Sequence, residues 1–195
     1  MDHKNNLKLE WSLWLNWVVA TTLGFLINDG SQLFLANGSI LAFVYELVLD
    51  GLVLALLQWL FVLRYLLPNA RQWIFVGTLG WGAGWFSGQF SGSLIFALLI
   101  HGIILGMIQW AFFVRRIYAR SILWVVATAI GLPFAYGLSW FVIFPLLLEN
   151  YSGPFSGQLD SAIRGFLFGA ITGIVLLWLS RLPQREMDTV TISNP

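Results

Sequence analysis

Six long runs of apolar residues, separated by short polar stretches, are the dominant pattern along the chain. They cover residues 11–28, 40–66, 72–88, 94–116, 121–148 and 161–182. Each run is close to the roughly 20 apolar residues that a helix needs to cross a bilayer. A transmembrane β-barrel would instead show segments of about ten residues in which polarity alternates. The pattern therefore predicts an all-α integral membrane protein with six transmembrane helices.

Three of these runs have features that bear on their ends or their packing. The first is followed by no small-residue cleavage site, so we interpret it as a retained span rather than a signal peptide. The third is short and rich in glycine, which predicts close packing. The fifth carries Pro133 and Pro145, which predict a kink or an early end. Asp160 is expected to cap the sixth helix.

The composition agrees with a membrane protein and excludes several kinds of site. Of the 195 residues, 58% are hydrophobic and 10% are charged, whereas a soluble domain has about 25% charged residues. The mean hydropathy is +0.80. The formal net charge of +1 gives no reason to expect nucleic acid as a partner, and the absence of Cys excludes disulfides and thiolate metal sites. We therefore expect membrane lipids as partners, and neither a cofactor nor a metal ion.

One helical hairpin is repeated along the chain. The spacing Gln-Trp-x4-Arg-x8-Trp-x6-Gly starts at Gln58 and again at Gln109, 51 residues later. Trp17-x6-Gly24 matches the end of this pattern, and a weaker copy of its beginning lies just before Trp178. Internal repeats are common in membrane proteins and usually pack with matching symmetry. They predict a single transmembrane domain over 1–195 with a polar tail at 183–195, in which three hairpins, at about 11–66, 72–116 and 121–182, surround a pseudo-threefold axis.

A stripe of small residues and glutamine runs along the second helix of each hairpin. Small residues let helix backbones approach closely, and a glutamine among them can form a hydrogen bond to a neighbouring helix. We predict intramolecular contacts between the repeats along this stripe, with Gln58 and Gln109 lining a pathway as the alternative. Trp73 and Trp124 are grouped with the other tryptophans near one end of the helices as an aromatic belt. The stripe consists of Gly51, Ala55, Gln58, Gly102, Gly106, Gln109, Gly169 and Gly173.

Basic residues lie at alternate ends of the predicted helices. By the positive-inside rule, they place both termini and the loops after the second and fourth helices in the cytoplasm. Only Arg164 departs from the pattern. We predict an integral protein of a plasma, inner or internal membrane. The residues that carry the orientation are Lys4, Lys8, Arg64, Arg71, Arg115, Arg116, Arg120, Arg181 and Arg185.

Four ionisable residues fall inside the predicted helices, at equivalent positions of the repeats. Asp50 and His101 each precede a glycine of the stripe, whereas Glu46 and Arg164 each lie five residues before one. Asp50 and His101 are fourteen residues, or roughly 21 Å of helix, from the arginine at the cytoplasmic edge. Both therefore fall in the outer half of the bilayer. About a pseudo-threefold axis, the four side chains would meet in one polar cluster.

The polar cluster supports two kinds of function. Charged groups inside a membrane are costly and often functional, which favours binding or translocation of a small solute, ion or proton. Alternatively, Arg–Glu and Asp–His pairs only lock the repeats together, in an accessory or assembly subunit of a larger membrane complex. Pigment binding through His101 is a weaker hypothesis, because no second ligand position repeats. No nucleophile–base or metalloprotease motif is present, so we expect no enzymatic activity.

Overall fold

Six helices make up nearly all of the described structure. The computed structural model describes residues 3–32, 40–67, 70–118, 120–148 and 156–181, and these contain no β-strand. Three helices are α-helical throughout: α1 (His3–Gln32), α3 (Gln72–Gly88) and α6 (Ser156–Ser180). The other three include π-helical segments: α2 (Ile40–Gln58, π-helical Trp59–Leu63, Arg64–Leu66), α4 (Leu94–Gln109, π-helical Trp110–Val114, Arg115–Ile117) and α5 (Ile122–Leu138, π-helical Ser139–Leu148).

The six helices form a closed ring. Each helix packs against the one before it and the one after it in the chain, and α6 returns to pack against α1. The predicted number of helices is therefore confirmed. Their bounds differ most at α1, which covers His3–Gln32 rather than 11–28, and at α6, which begins at Ser156 rather than at 161. Pro133 does not end α5, because the helix continues to Leu138 and changes to π-helical geometry only at Ser139. The predicted tail at 183–195 lies outside the described residues.

Four of the six helices are long and apolar enough to cross a bilayer. They provide the candidate spans Val48–Leu66, Leu94–Ile117, Ile122–Ile143 and Ser156–Ser180. The 17 residues of α3 give a helix of roughly 26 Å, somewhat shorter than a hydrocarbon layer of about 30 Å. The helical content and these apolar lengths are those of a membrane protein.

The stripe of small residues forms the contacts between successive hairpins. A methyl group added at Gly51 of α2 would lie 2.9 Å from Cβ of Trp81 in α3. Gly102 and Gly106 of α4 meet the backbone of α5 in the same way, and Gly169 and Gly173 of α6 meet α1. These glycines of the stripe therefore lie at contacts between helices of the same chain. At Gly51, Gly102 and Gly106, backbone atoms of the neighbouring helix lie within 3.0 Å of an added Cβ atom, so a larger residue would push the helices apart.

The two ends of the bundle differ in charge. One end, here called the basic end, exposes five arginines on the α2–α3 and α4–α5 connections and the helix ends beside them: Arg64, Arg71, Arg115, Arg116 and Arg120. The opposite end, here called the far end, carries the α3–α4 turn, where Gly92 adopts a φ of 65°. Two apolar clusters fill the bundle between them, one around Trp17, Trp73 and Trp124 and the other around Phe25, Leu105 and Phe168.

Candidate functional site

Three tryptophans meet at the centre of the bundle, towards the basic end. Trp17, Trp73 and Trp124 come from α1, α3 and α5, and each is at most 2% exposed. Their ring centroids lie 5.9, 5.7 and 5.7 Å apart, and each pair is arranged edge to face. This geometry is favourable for aromatic rings because the positive edge of one faces the negative face of the next. We call this group the tryptophan triad.

Each indole N–H of the triad finds an acceptor on the second helix of another hairpin. Trp73 Nε1 donates to Gln58 Oε1 at 3.0 Å, and Trp124 Nε1 donates to Gln109 Oε1 at 2.7 Å. Trp17 Nε1 donates to Thr172 Oγ1 at 3.0 Å. These bonds satisfy donors that would otherwise be buried without a partner. Gln58 and Gln109 are therefore buried hydrogen-bonding groups between helices, as the stripe predicted.

The predicted aromatic belt is wrong for two of its members. Trp73 and Trp124 are buried inside the ring of helices, not at its surface. The buried glutamines explain the difference, because each offers an acceptor in the interior and removes the need for the indole to reach water. Trp11, by contrast, is 62% exposed.

The triad seals the basic end of the bundle axis. The remaining space beside it, bordered by Leu63 and Tyr118 among others, is about 10 Å³. That volume is at the lower limit for a single water molecule. Burial also raises the pKa of the Tyr118 phenol above its usual value, so the ring adds no charge there. The triad and its described neighbours thus fill most of the space around the bundle axis at this end.

A cavity of about 190 Å³ lies at the far end. It is formed by α2, α3, α4 and α5, and the exposed Gln89 and Leu94 lie at its rim. We call it the far-end cavity. Its lining residues are Asp50, Trp81, Trp85, Gly88, Gln89, Leu94, Ala97, Leu98, His101 and Tyr136.

His101 is the most constrained polar group of this cavity. Its side chain is 5% exposed, and its ring lies edge to face against Trp81 with centroids 4.7 Å apart. Gly84 leaves the space that the imidazole occupies, because a Cβ at that position would collide with it. The Nε2 atom is buried and has no hydrogen-bond partner among the described residues. A buried polar atom without a partner costs free energy unless a bound group satisfies it.

Asp50 reaches the same cavity from α2. It is partly buried, and its backbone carbonyl accepts a hydrogen bond of 3.1 Å from Asn28 Nδ2 of α1. This bond holds the first two helices together at the depth of Asp50. Asp50 and His101 thus line the same cavity.

Arg164 is held by a different set of residues on α5 and α6. Its guanidinium forms an ion pair with Asp160 at 2.7 Å and donates to Ser161 Oγ at 2.9 Å. Asp160 also accepts hydrogen bonds from Ser139 Oγ and, at 3.2 Å, from Trp140 Nε1. The pair is largely buried, with side chains 12% and 8% exposed. Asp160 is thus an acceptor inside α6 rather than the cap of its first turn.

Tyr136 lies between the far-end cavity and the Asp160–Arg164 ion pair. Its side chain lines the far-end cavity, and the Arg164 guanidinium lies 4.7 Å from its ring centroid. It is also within electrostatic reach of Asp50 and Asp160. Arg164 is therefore one aromatic ring away from the cavity, and it does not line the cavity itself.

The predicted four-residue cluster is brought together only in part. Asp50 and His101 line one cavity, and Arg164 adjoins it through Tyr136. The side chain of Glu46 lies outside the described part of the chain. Sequence reasoning missed the residues that complete the site, which are Trp81, Trp85, Tyr136, Trp140, Ser139 and Asp160. The i, i+4 spacing of Asp160 and Arg164 was the one signal that could have revealed their pairing.

No protein-family model matches this chain, and comparisons with curated proteins and with solved structures find no significant match.

Proposed function

We propose that this protein is a non-enzymatic integral membrane protein that binds a small solute or ion in its far-end cavity. In this proposal, three repeated hairpins surround a pseudo-threefold axis, and the basic end and both termini face the cytoplasm. The apolar length of four helices supports insertion, and the exposed arginines at one end support the orientation. The equivalent Trp–Gln hydrogen bonds and π-helical segments, each 51 residues apart, support the repeat.

The observation that carries the binding proposal is the buried Nε2 of His101 beside Asp50. In a lipid-shielded cavity, a polar atom without a partner and a carboxyl group are both costly. A bound solute with hydrogen-bonding groups would give the His101 Nε2 atom a partner and would lie beside the Asp50 carboxyl group. The cavity adds three aromatic rings and the amide of Gln89, a typical mixture for a ligand site.

The charges near the cavity favour a ligand with a positive charge or several hydrogen-bond donors. When ionised, Asp50 and Asp160 carry two negative charges against the single positive charge of Arg164. Trp81, Trp85 and Tyr136 present ring faces and edges, and ring faces attract cations. The volume of about 190 Å³ limits the ligand to a small molecule or a hydrated ion. Small ammonium compounds have this size and charge.

The sealed basic end favours a binding site with access from one side over an open channel. A solute could move through the bundle axis only if the tryptophan triad separated. Translocation would therefore need a change in the packing of α1, α3 and α5, and a protein that only binds its ligand would need none.

A second candidate function is that of an accessory subunit in a larger membrane complex. The outer surface is rich in exposed aromatic and aliphatic side chains, including Phe75, Phe90 and Phe141. Such a surface suits lipid, but it also suits other membrane helices. Under this alternative, the far-end cavity and the Asp160–Arg164 pair serve only to hold the helices together.

The test is ligand-induced stabilisation of the purified full-length protein. Ammonium, ethanolamine and choline would be titrated in detergent while thermal unfolding and tryptophan fluorescence are recorded. We expect a rise in unfolding temperature and a fluorescence change from Trp81 and Trp85. Asp50→Asn and His101→Ala should remove the response, whereas Arg120→Gln, an exposed charge at the basic end, should leave it intact.

Retention of the full response by both cavity variants would rule out the far-end cavity as the site. The absence of any response, together with a stoichiometric partner retained after purification in mild detergent, would favour the accessory subunit. A protein that purifies alone and responds to an ammonium compound would support the binding proposal.

A further inference from the structure

A second concave surface lies on the outside of the bundle, between α3 and α4. Its volume is about 420 Å³, and it is separate from the far-end cavity. We call it the α3–α4 groove. Its walls are apolar, and its two polar residues lie towards the basic end. It is lined by Gln72, Phe75, Val76, Leu79, Phe112 and Arg116.

The groove combines a surface for an acyl chain with a cation at the helix end. Phe75 and Phe112 are 71% and 52% exposed, so they face away from the bundle. Arg116 lies in the last turn of α4, and Gln72 is the first residue of α3. In a bilayer, these helix ends are at the level of the lipid headgroups. The groove thus runs from the hydrocarbon layer to a guanidinium at the interface.

The neighbouring arginine does not share this position. The Arg115 guanidinium lies 5.6 Å from the ring centroid of Trp110, whereas Arg116 lines the groove. The two residues have the same charge and adjacent positions, but different surroundings. This difference provides a matched pair for an experiment.

The charge of the surroundings determines which lipid would bind. The segment 51–148 contains five arginines and no acidic residue. All five lie at the basic end, on the α2–α3 and α4–α5 connections and the helix ends beside them. Basic pockets between transmembrane helices on the cytoplasmic side attract lipids with anionic headgroups. A second copy of the chain is a poorer occupant, because two-fold symmetry along the membrane normal would bring the arginines of both copies together.

We propose that the α3–α4 groove binds an anionic phospholipid, with an acyl chain against Phe75, Leu79 and Phe112 and the phosphate at Arg116. This inference shares with the proposed function the premises that the chain lies in a bilayer and that the basic end faces the cytoplasm. It requires no ligand in the far-end cavity, so the two proposals can fail independently.

The test uses the full-length protein in detergent, with phosphatidylglycerol and phosphatidylcholine of identical acyl chains as probes. Bound lipid is counted by native mass spectrometry, and thermal unfolding is followed in parallel. We expect phosphatidylglycerol to bind more tightly than phosphatidylcholine. Arg116→Gln should weaken phosphatidylglycerol binding about fivefold, as removal of one basic contact at a membrane surface implies. Arg115→Gln should have a clearly smaller effect.

Two further measurements separate the groove from general charge attraction. Leu79→Trp should fill the groove and reduce binding of both lipids, because it blocks the acyl chain. Inorganic phosphate alone should neither bind nor stabilise, since it lacks that chain. Equal binding of the two phospholipids, equal effects of Arg115→Gln and Arg116→Gln, or a dimer that Leu79→Trp disrupts would overturn the proposal.

Discussion

Trp73 donates a hydrogen bond of 3.0 Å to Gln58, fifteen residues earlier in the chain and on the neighbouring helix. The amide of Gln58 in turn donates to Thr21 Oγ1 of α1 at 3.1 Å. One side chain therefore joins three helices at the centre of the bundle. Trp124 and Gln109 form the equivalent bond between α5 and α4. These contacts make the interior specific, because an apolar residue at either glutamine position would leave a buried indole donor unpaired.

Replacement of Gln58 by Leu should lower the free energy of unfolding by about 1–2 kcal/mol. The Trp73 N–H would then be buried without an acceptor, which costs more than the hydrogen bond itself contributes. Chemical unfolding in mixed micelles measures the change. In the double variant Gln58→Leu/Trp73→Phe, the loss should be less than the sum of the single losses. Strictly additive losses would mean that the bond has no energetic role.

The substitution Gly77→Ala should lower the free energy of unfolding by about 1–3 kcal/mol, the usual cost of overpacking. The added Cβ would lie 2.6 Å from Cβ of Ala55, so α2 and α3 would have to separate. The control is Gly137→Ala in α5, where a Cβ meets no atom within 4 Å. That variant should be neutral or slightly more stable, since alanine favours helix. Adding Ala55→Gly to Gly77→Ala removes the colliding Cβ atom, so the double variant should be more stable than Gly77→Ala alone. Failure of this rescue would argue against the contact.

Replacement of Arg164 by Gln should cost about 3 kcal/mol, because the buried Asp160 carboxylate would lose its opposite charge. The double variant Asp160→Asn/Arg164→Gln should be more stable than Arg164→Gln alone, since it buries no unpaired charge. Arg120→Gln, at an exposed position, serves as the control and should change little. A double variant less stable than Arg164→Gln would show that Asp160 is held mainly by Ser139 and Trp140.

Truncation of Trp124 to Ala should both destabilise the protein and open its basic end. Loss of a fully buried tryptophan leaves a cavity and typically costs about 3–5 kcal/mol. In proteoliposomes, the variant should leak small ions faster than the wild type, because the triad no longer blocks the axis. Trp11→Ala, at a 62% exposed position, provides the comparison and should leak no faster than the wild type. Equal leakage by both variants would exclude the triad as the seal.

The number of helices could be predicted because it depends on short-range patterns. Apolar length determines a candidate span, and the small residues at Gly51, Gly102 and Gly169 mark where backbones approach. Asp50 and His101 were expected to lie close together because their spacing to the following glycine and arginine is the same in two segments of the sequence.

The remaining site residues could not be predicted, since their roles depend on packing between helices distant in sequence. Tyr136 and Trp81 read as ordinary apolar residues until α2, α4 and α5 are placed around one cavity. In the sequence, Trp73 and Trp124 lie near the ends of apolar runs, as interfacial tryptophans do. Only their hydrogen bonds to the buried Gln58 and Gln109 distinguish them. The π-helical segments at Trp59–Leu63 and Trp110–Val114 have no recognised sequence signature, although both follow a glutamine of the stripe.

The closure of the ring by α6 against α1 has a consequence for synthesis of the chain. Trp17 donates its hydrogen bond to Thr172, which is 155 residues later. The ribosome therefore releases α1 well before the acceptor exists, and Gly169 and Gly173 reach α1 only after α2 to α5 have been synthesised. Until then, the first helix must be held by lipid, by the insertion machinery or by α2. Closure of the ring thus has to wait until α6, the last of these six helices in chain order, has been synthesised.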